Sequence, residues 1–242
     1  MEWKVEKGRH FMVYYTENAA LARRVAHAAE RAYERIMRDL AFRKFTDFWT
    51  WDDRARIYVY PTFRAFRDVT GAPPWARAKA SYDRKSMFVV ARDGELLGAT
   101  LPHELAHLVF RDFLGFQQQA PAWLHEGIAQ RQEADRAADA LRIARAAAAR
   151  GRLIPLSALT SLSVQDAAAR GEAPLFYAQA VSVVSFMIDR YGATRFRAFC
   201  ERLKDGKPLP EALRFTYGGS IDTIEALERE WLKELAPARR KP

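Results

Sequence analysis

Apolar positions mix a strand-like period of two with a helical period in the early part of the chain and keep to the helical period later, and that switch organises everything else. His10 to Thr16, HFMVYYT, is β-branched and aromatic and predicts a strand. Asn18 suits a helix cap, and AALARRVAHAAERAYERIMRDL then repeats apolar residues at Leu21, Val25, Ala29, Tyr33, Ile36 and Leu40, giving a helix with one buried face. RARIYVYPT predicts a second strand, stopped by Pro61, and FRAFRDVTG a short helix closed by Gly71. ASYDRKSMFVVAR reads as a hairpin turning at Asp83 to Lys85. This part of the chain is therefore α+β, with a small mixed sheet.

From Thr100 onward the pattern is helical. Thr100 is a candidate cap, and Pro102 falls in the first turn, where its missing N–H costs little. That helix is expected to end near Gly115. A second should begin near Pro121 and run to Gly151, followed by a loop with Pro155. PLFYAQAVSVVSFMIDRYG predicts a long helix closing on Gly192, and ATRFRAFCERLKDG and SIDTIEALEREWLKEL predict two more. No internal repeat is visible, and the last six residues, PARRKP, read as a frayed tail.

Composition narrows the classes. With 242 residues the chain can bury a real core. Its net charge of +9 is spread along nearly every segment rather than massed in a block, which describes a basic surface and not a dedicated nucleic-acid binder. The single cysteine, Cys200, excludes a disulfide framework and lies among apolar neighbours, so a buried inert thiol is expected. The longest apolar run, AVSVVSFMI, is too short to span a bilayer. The opening MEWKVEKGRHFMVYY has no signal-peptide pattern, so location stays open. An exported or cell-envelope protein is expected only if a leader had been trimmed.

The chemistry gathers in LPHELAHLVF, Leu101 to Phe110, which contains His-Glu-x-x-His. Residues four apart share a helix face, so His103 and His107 can aim at one ion, while Glu104, turned by about 100°, can still reach a water at that ion. A helix with two satisfied histidines on its polar edge is the plain alternative. A catalytic zinc needs three protein ligands and one open position. Metzincin-type zincins supply the third from a His six residues after the second; Phe113 stands there, and Phe110 where they have Gly. In PAWLHEGIAQ, Glu126 follows His107 by nineteen positions, far enough for a turn and a returning helix held by Trp123, Leu124 and Ile128. His125 is the rival ligand, and only one of the two can face the ion squarely.

With those residues in view, the chain resembles the gluzincin branch of zincin metallopeptidases, and more narrowly the bacterial peptidase MA-like family. The resemblance runs through HFMVYYT, RIYVYPTFRAF, LPHELAHLVF, PAWLHEGIA, FYAQAVSVVSFMIDRYG and LEREWLKEL. It implies zinc held by His103, His107 and Glu126, and peptide-bond hydrolysis by a zinc-activated water with Glu104 as general base. It implies a single domain over 1–242, zincin-like: an α+β lobe (1–115) whose sheet covers the HExxH helix, then a helical lobe (116–236) carrying the Glu ligand. Tyrosine commonly stabilises the oxyanion in gluzincins, which makes Tyr177 the candidate; Tyr177, Val181, Val184, Ile188 and Tyr191 also form a stripe that reads equally well as core. Many gluzincins orient the first histidine with an acid four residues after the Glu ligand. Gln130 stands there, with Glu133 one turn on.

The expected partner is a peptide or protein, laid extended along a sheet edge near the hairpin; Trp75 and Tyr82 are subsite candidates, with core or loop anchoring the favoured role for each. No nucleic-acid partner is expected. A zinc-bearing binding module without activity is the alternative of a different class, since motifs report capacity and not turnover.

Overall fold

Among the described residues, five strands realise the period-two pattern. The structure is a computed structural model and describes residues 2–42, 53–74, 76–91, 94–115 and 120–236. The readings of Trp75 and of the tail 237–242 lie outside the described residues. The chain forms two compact units, Met1–Asp112 with Gln132–Ala134, and Phe113–Arg131 with Asp135–Pro242.

In the first unit, β1 (Lys4–Lys7), β2 (Phe11–Tyr15), β3 (Ala55–Tyr60), β4 (Ala78–Ser81) and β5 (Ser86–Val90) form one sheet in the order β1-β2-β3-β5-β4. β2, β3 and β5 run parallel, and β1 and β4 close the two ends antiparallel. Strand β1 is an element the apolar pattern did not separate from β2; Gly8 makes the tight return between them, its N–H on the Phe11 carbonyl at 2.8 Å. Phe11, Val13, Ile57, Met87 and Val89 are fully buried on one face. The 21-residue α1 (Ala19–Asp39) packs on β2, its cap made by Asn18 Oδ1 accepting from the Leu21 N–H at 2.9 Å. On the other face, Phe66 of α2 (Phe63–Thr70) packs with Tyr60 and Val90. Beside it Tyr14, Tyr58 and Phe88 stack in register across three strands, with centroids 4.7 and 5.2 Å apart.

Thr100 is not a cap. The chain becomes helical earlier, in a π-helical turn Leu96–Thr100 that runs directly into α3 (Leu101–Leu114), with the Leu101 N–H on the Leu96 carbonyl. A proline inside a continuous α-helix clashes with the carbonyl four residues back; the wider turn just before Pro102 relieves that conflict. The predicted end at Gly115 holds, in a left-handed conformation with φ 88°.

The predicted single helix from Pro121 to Gly151 is two: α4 (Ala122–Gln130) and α5 (Arg136–Ala148). Asp135 breaks it at φ 57°, a conformation that Asp tolerates better than most residues. The loop predicted after Gly151 contains two short helices, α6 (Leu156–Leu159) and α7 (Val164–Ala169), and α10 (Leu209–Tyr217) lies between the predicted α9 (Ala193–Lys204) and α11 (Ile224–Leu235). All three are too short to show a clear helical period.

The second unit is built around α8 (Ala173–Tyr191), from Phe176 to Ile188 almost wholly buried. Gln179 of α8 exchanges hydrogen bonds with the Ile154 backbone, 2.8 Å each way, and the Trp231 indole donates to Ser182 at 3.0 Å. Gly127 lets α4 lie directly against α8: a Cβ there would meet the Ala180 carbonyl and come 2.6 Å from Val184 Cγ2. Cys200 is fully buried as predicted, and burial pushes its thiol far above the ordinary range.

Candidate active site

The first-unit part of the candidate site starts from α3. His103 and His107 lie one turn apart, His107 buried and His103 half-buried. Their Nε2 atoms are 3.0 Å apart, with ring planes at 77°. His103 Nδ1 lies 2.8 Å from Glu133 Oε1. A carboxylate accepts, so in the neutral His103 ring the hydrogen sits on Nδ1 and the lone pair on Nε2. Two imidazole nitrogens so arranged could hold one ion; nitrogens about 2.0–2.1 Å from a tetrahedral zinc are about 3.3 Å from each other.

Glu104 and His103 border a cavity of about 280 Å³, together with Glu133 and the segment Ala76–Ala78 that leads into β4. Among the described residues β4 ends the sheet, so the hairpin contributes an edge strand beside the HExxH residues. Burial pushes the Glu104 carboxyl above its ordinary value, and attraction to His103 partly offsets this. A raised carboxyl keeps a proton, once taken, more readily than an exposed one. Tyr82 is 41 % exposed in the β4–β5 turn.

The acid that orients His103 is Glu133, while Gln130 is buried and accepts instead from Arg136 Nε at 2.8 Å. Arg35 and Gln132 were not singled out by the sequence. Arg35 Nε donates to Gln132 Oε1 at 3.0 Å and its Nη2 to the Gln132 carbonyl, while Gln132 Nε2 donates to Asp39 at 3.4 Å. The available signal was QRQEAD, a polar cluster interrupting an apolar, Ala-rich pattern where a continuous helix gains nothing from it.

In the second unit, α4 carries both His125 and Glu126, each half-buried. Tyr177, in the first turns of α8, is half-buried with its ring edge-on to Phe176 at 5.7 Å. Val181, Val184 and Ile188 of the same stripe are core, and Tyr191 packs on Tyr217 at 5.2 Å.

An α+β unit with a small mixed sheet, followed by a mostly helical unit, is compatible with a peptidase MA-type fold. The model of one family, described as the peptidase MA superfamily, matches residues 52–234, and the chain belongs to that superfamily. No curated protein matches the chain. Membership points to peptides or proteins as the substrate class, and peptidases of this superfamily are generally metal-dependent. No helix among the described residues is long and apolar enough to cross a membrane.

Proposed function

We propose that the chain is a zinc metallopeptidase of the gluzincin type, acting as one catalytic domain. The observation that carries this reading is the His103–His107 pair, its ring nitrogens 3.0 Å apart and the first ring held by Glu133. His103, His107 and Glu126 would hold the metal. For Glu126 the support is its place in PAWLHEGIAQ and the covalent chain: Glu133, on which the His103 ring rests, follows it by seven positions. Four of those steps are helical, which keeps the two within roughly 17 Å.

Bound there, zinc supplies Lewis acidity that polarises the scissile carbonyl and acidifies a water. Glu104 takes the proton of the attacking water and returns it to the leaving nitrogen, so one carboxylate serves as base and then as acid. Glu133 holds the proton on His103 Nδ1 and keeps Nε2 available. Tyr177 donates its O–H to the developing oxyanion. The substrate pairs its backbone with edge strand β4, which brings a peptide bond to the cavity that His103 and Glu104 border.

The test is wild type against Glu104→Gln, both fully zinc-loaded, on a mixed peptide library. The amide preserves size and hydrogen bonding but cannot take up the proton. Zinc, fold and peptide binding should persist while hydrolysis falls by roughly a hundredfold to ten-thousandfold. Cleavage undiminished in the variant overturns the mechanism. Peptide binding without cleavage by either protein would make the chain a binding module.

A further inference from the structure

We infer that Arg35 is a positioning residue for the metal site: from α1 it grips Gln132 and so seats Glu133 against the His103 ring. The inference rests on the metallopeptidase reading above and deepens it. Every contact in this relay lies within the first compact unit, to which Gln132–Ala134 belong.

Gln132 is 1 % exposed and held on three sides. Arg35 and Asp39, one turn apart on α1, take opposite ends of its amide, Arg35 Nε on Oε1 at 3.0 Å and Asp39 Oδ2 on Nε2 at 3.4 Å. The donor and acceptor ends cannot be exchanged without facing like against like, so the amide is fixed in orientation as well as place. Arg35 Nη2 also donates to the Gln132 carbonyl, which fixes the backbone. Only a guanidinium offers two rigid donors at that spacing; an ammonium meets the side-chain or the main-chain oxygen as a point charge. The next residue is Glu133, whose carboxylate meets His103 Nδ1 at 2.8 Å. A carboxylate aims a ring only if its own backbone is held. Glu133 sits in a break between α4 and α5, where helical hydrogen bonds cannot hold it. Arg35 supplies that anchorage.

The test uses the full chain in five forms besides wild type: Arg35→Ala, Arg35→Lys, Gln132→Glu, Glu133→Ala, and Arg35→Ala combined with Glu133→Ala. Zinc affinity is measured by competition with a chelator, the His103 ring by ¹⁵N NMR of metal-free protein, and stability by thermal melting. Arg35→Ala should weaken zinc roughly tenfold, within the range found for partners that orient metal ligands. The double variant should be no weaker than Glu133→Ala, because both changes cut one relay. In metal-free Arg35→Ala the His103 ring should pass from one Nδ1–H form to a mixture of tautomers. Arg35→Lys should lie between Arg35→Ala and wild type, and so should Gln132→Glu, which keeps both oxygens that Arg35 holds but sets a second carboxylate against Asp39. Independent, additive losses in the double variant overturn the relay. So does a lowered melting temperature with the His103 signals unchanged, which would leave Arg35 a structural role only. If Arg35→Ala does not fold, Arg35→Lys and Gln132→Glu carry the same comparison. If wild type takes up no zinc, the metallopeptidase reading fails, while the metal-free His103 signals still decide the role of Arg35.

Discussion

Glu133 Oε1 lies 2.8 Å from His103 Nδ1, across thirty positions of sequence. That contact joins the HExxH helix to the turn between α4 and α5, and it sets which nitrogen of His103 carries the hydrogen and which keeps a lone pair. Replacing Glu133 should therefore grade metal affinity by what remains to accept the Nδ1 hydrogen. Glu133→Gln keeps a weaker acceptor and Glu133→Ala keeps none, so zinc should bind in the order wild type, Gln, Ala, the last weaker by about ten- to a hundredfold. Competition titration against a chelator reads this directly, and equal affinities in all three would detach Glu133 from the metal.

Glu126 and His125 are adjacent on α4 and point about 100° apart, so one substitution each separates them. Glu126→Ala should lose zinc and His125→Ala should retain it, by elemental analysis after reloading metal-free protein. The reverse outcome would move the third ligand to His125 and remove the gluzincin assignment.

Tyr177 is half-buried at the end of a stripe whose next three members are core. Tyr177→Phe removes only the hydroxyl. If that hydroxyl meets the oxyanion, kcat should fall on the order of a hundredfold with zinc content and melting temperature kept. Unchanged turnover, or a large drop in melting temperature, returns Tyr177 to the core.

Gly127 is where α4 touches α8. Any Cβ there overlaps the Ala180 carbonyl, which is backbone and cannot rotate away. Gly127→Ala should cost about 1–3 kcal/mol, or several degrees in melting temperature at roughly 2–4 °C per kcal/mol. A variant as stable as wild type would show that the two helices separate without cost.

The buried His10 ring meets Glu30 Oε2 at 2.6 Å, and the His10 N–H donates to Oε1 at 2.9 Å. Burial alone would raise the Glu30 carboxyl; the hydrogen bonds and charge of His10 outweigh it and hold the group below its ordinary value of 4.5. A carboxyl lowered on folding stabilises the folded state above its unfolded pKa, and that stability is lost as pH falls through the lower folded value. Denaturant midpoints should show Glu30→Gln less stable than wild type near neutrality, with the gap closing in acid. A pH-independent gap would mean that Glu30 acts by packing alone.

Local chemistry determined what could be read along the chain. Asn18, Gly71, Gly115 and Gly192 mark helix ends because capping and positive φ depend on the residue itself and its immediate neighbours. The His103–Glu104–His107 cluster was legible for the same reason, since one helical turn sets its spacing. Other features depend on partners distant in sequence. Helical propensity continues from Pro121 to Gly151, yet the chain breaks at Asp135, and the buried hydrogen bonds of Gln132 to Arg35 and Asp39 offset the helical bonds lost there. The choice of Glu133 over Gln130 for His103 follows from that break, because the residue after the anchored Gln132 is delivered to the ring while Gln130 stays in α4 with Arg136. The edge position of β4 is likewise a property of sheet order, decided by which strands pair, and strand pairing is a long-range contact that no local pattern encodes.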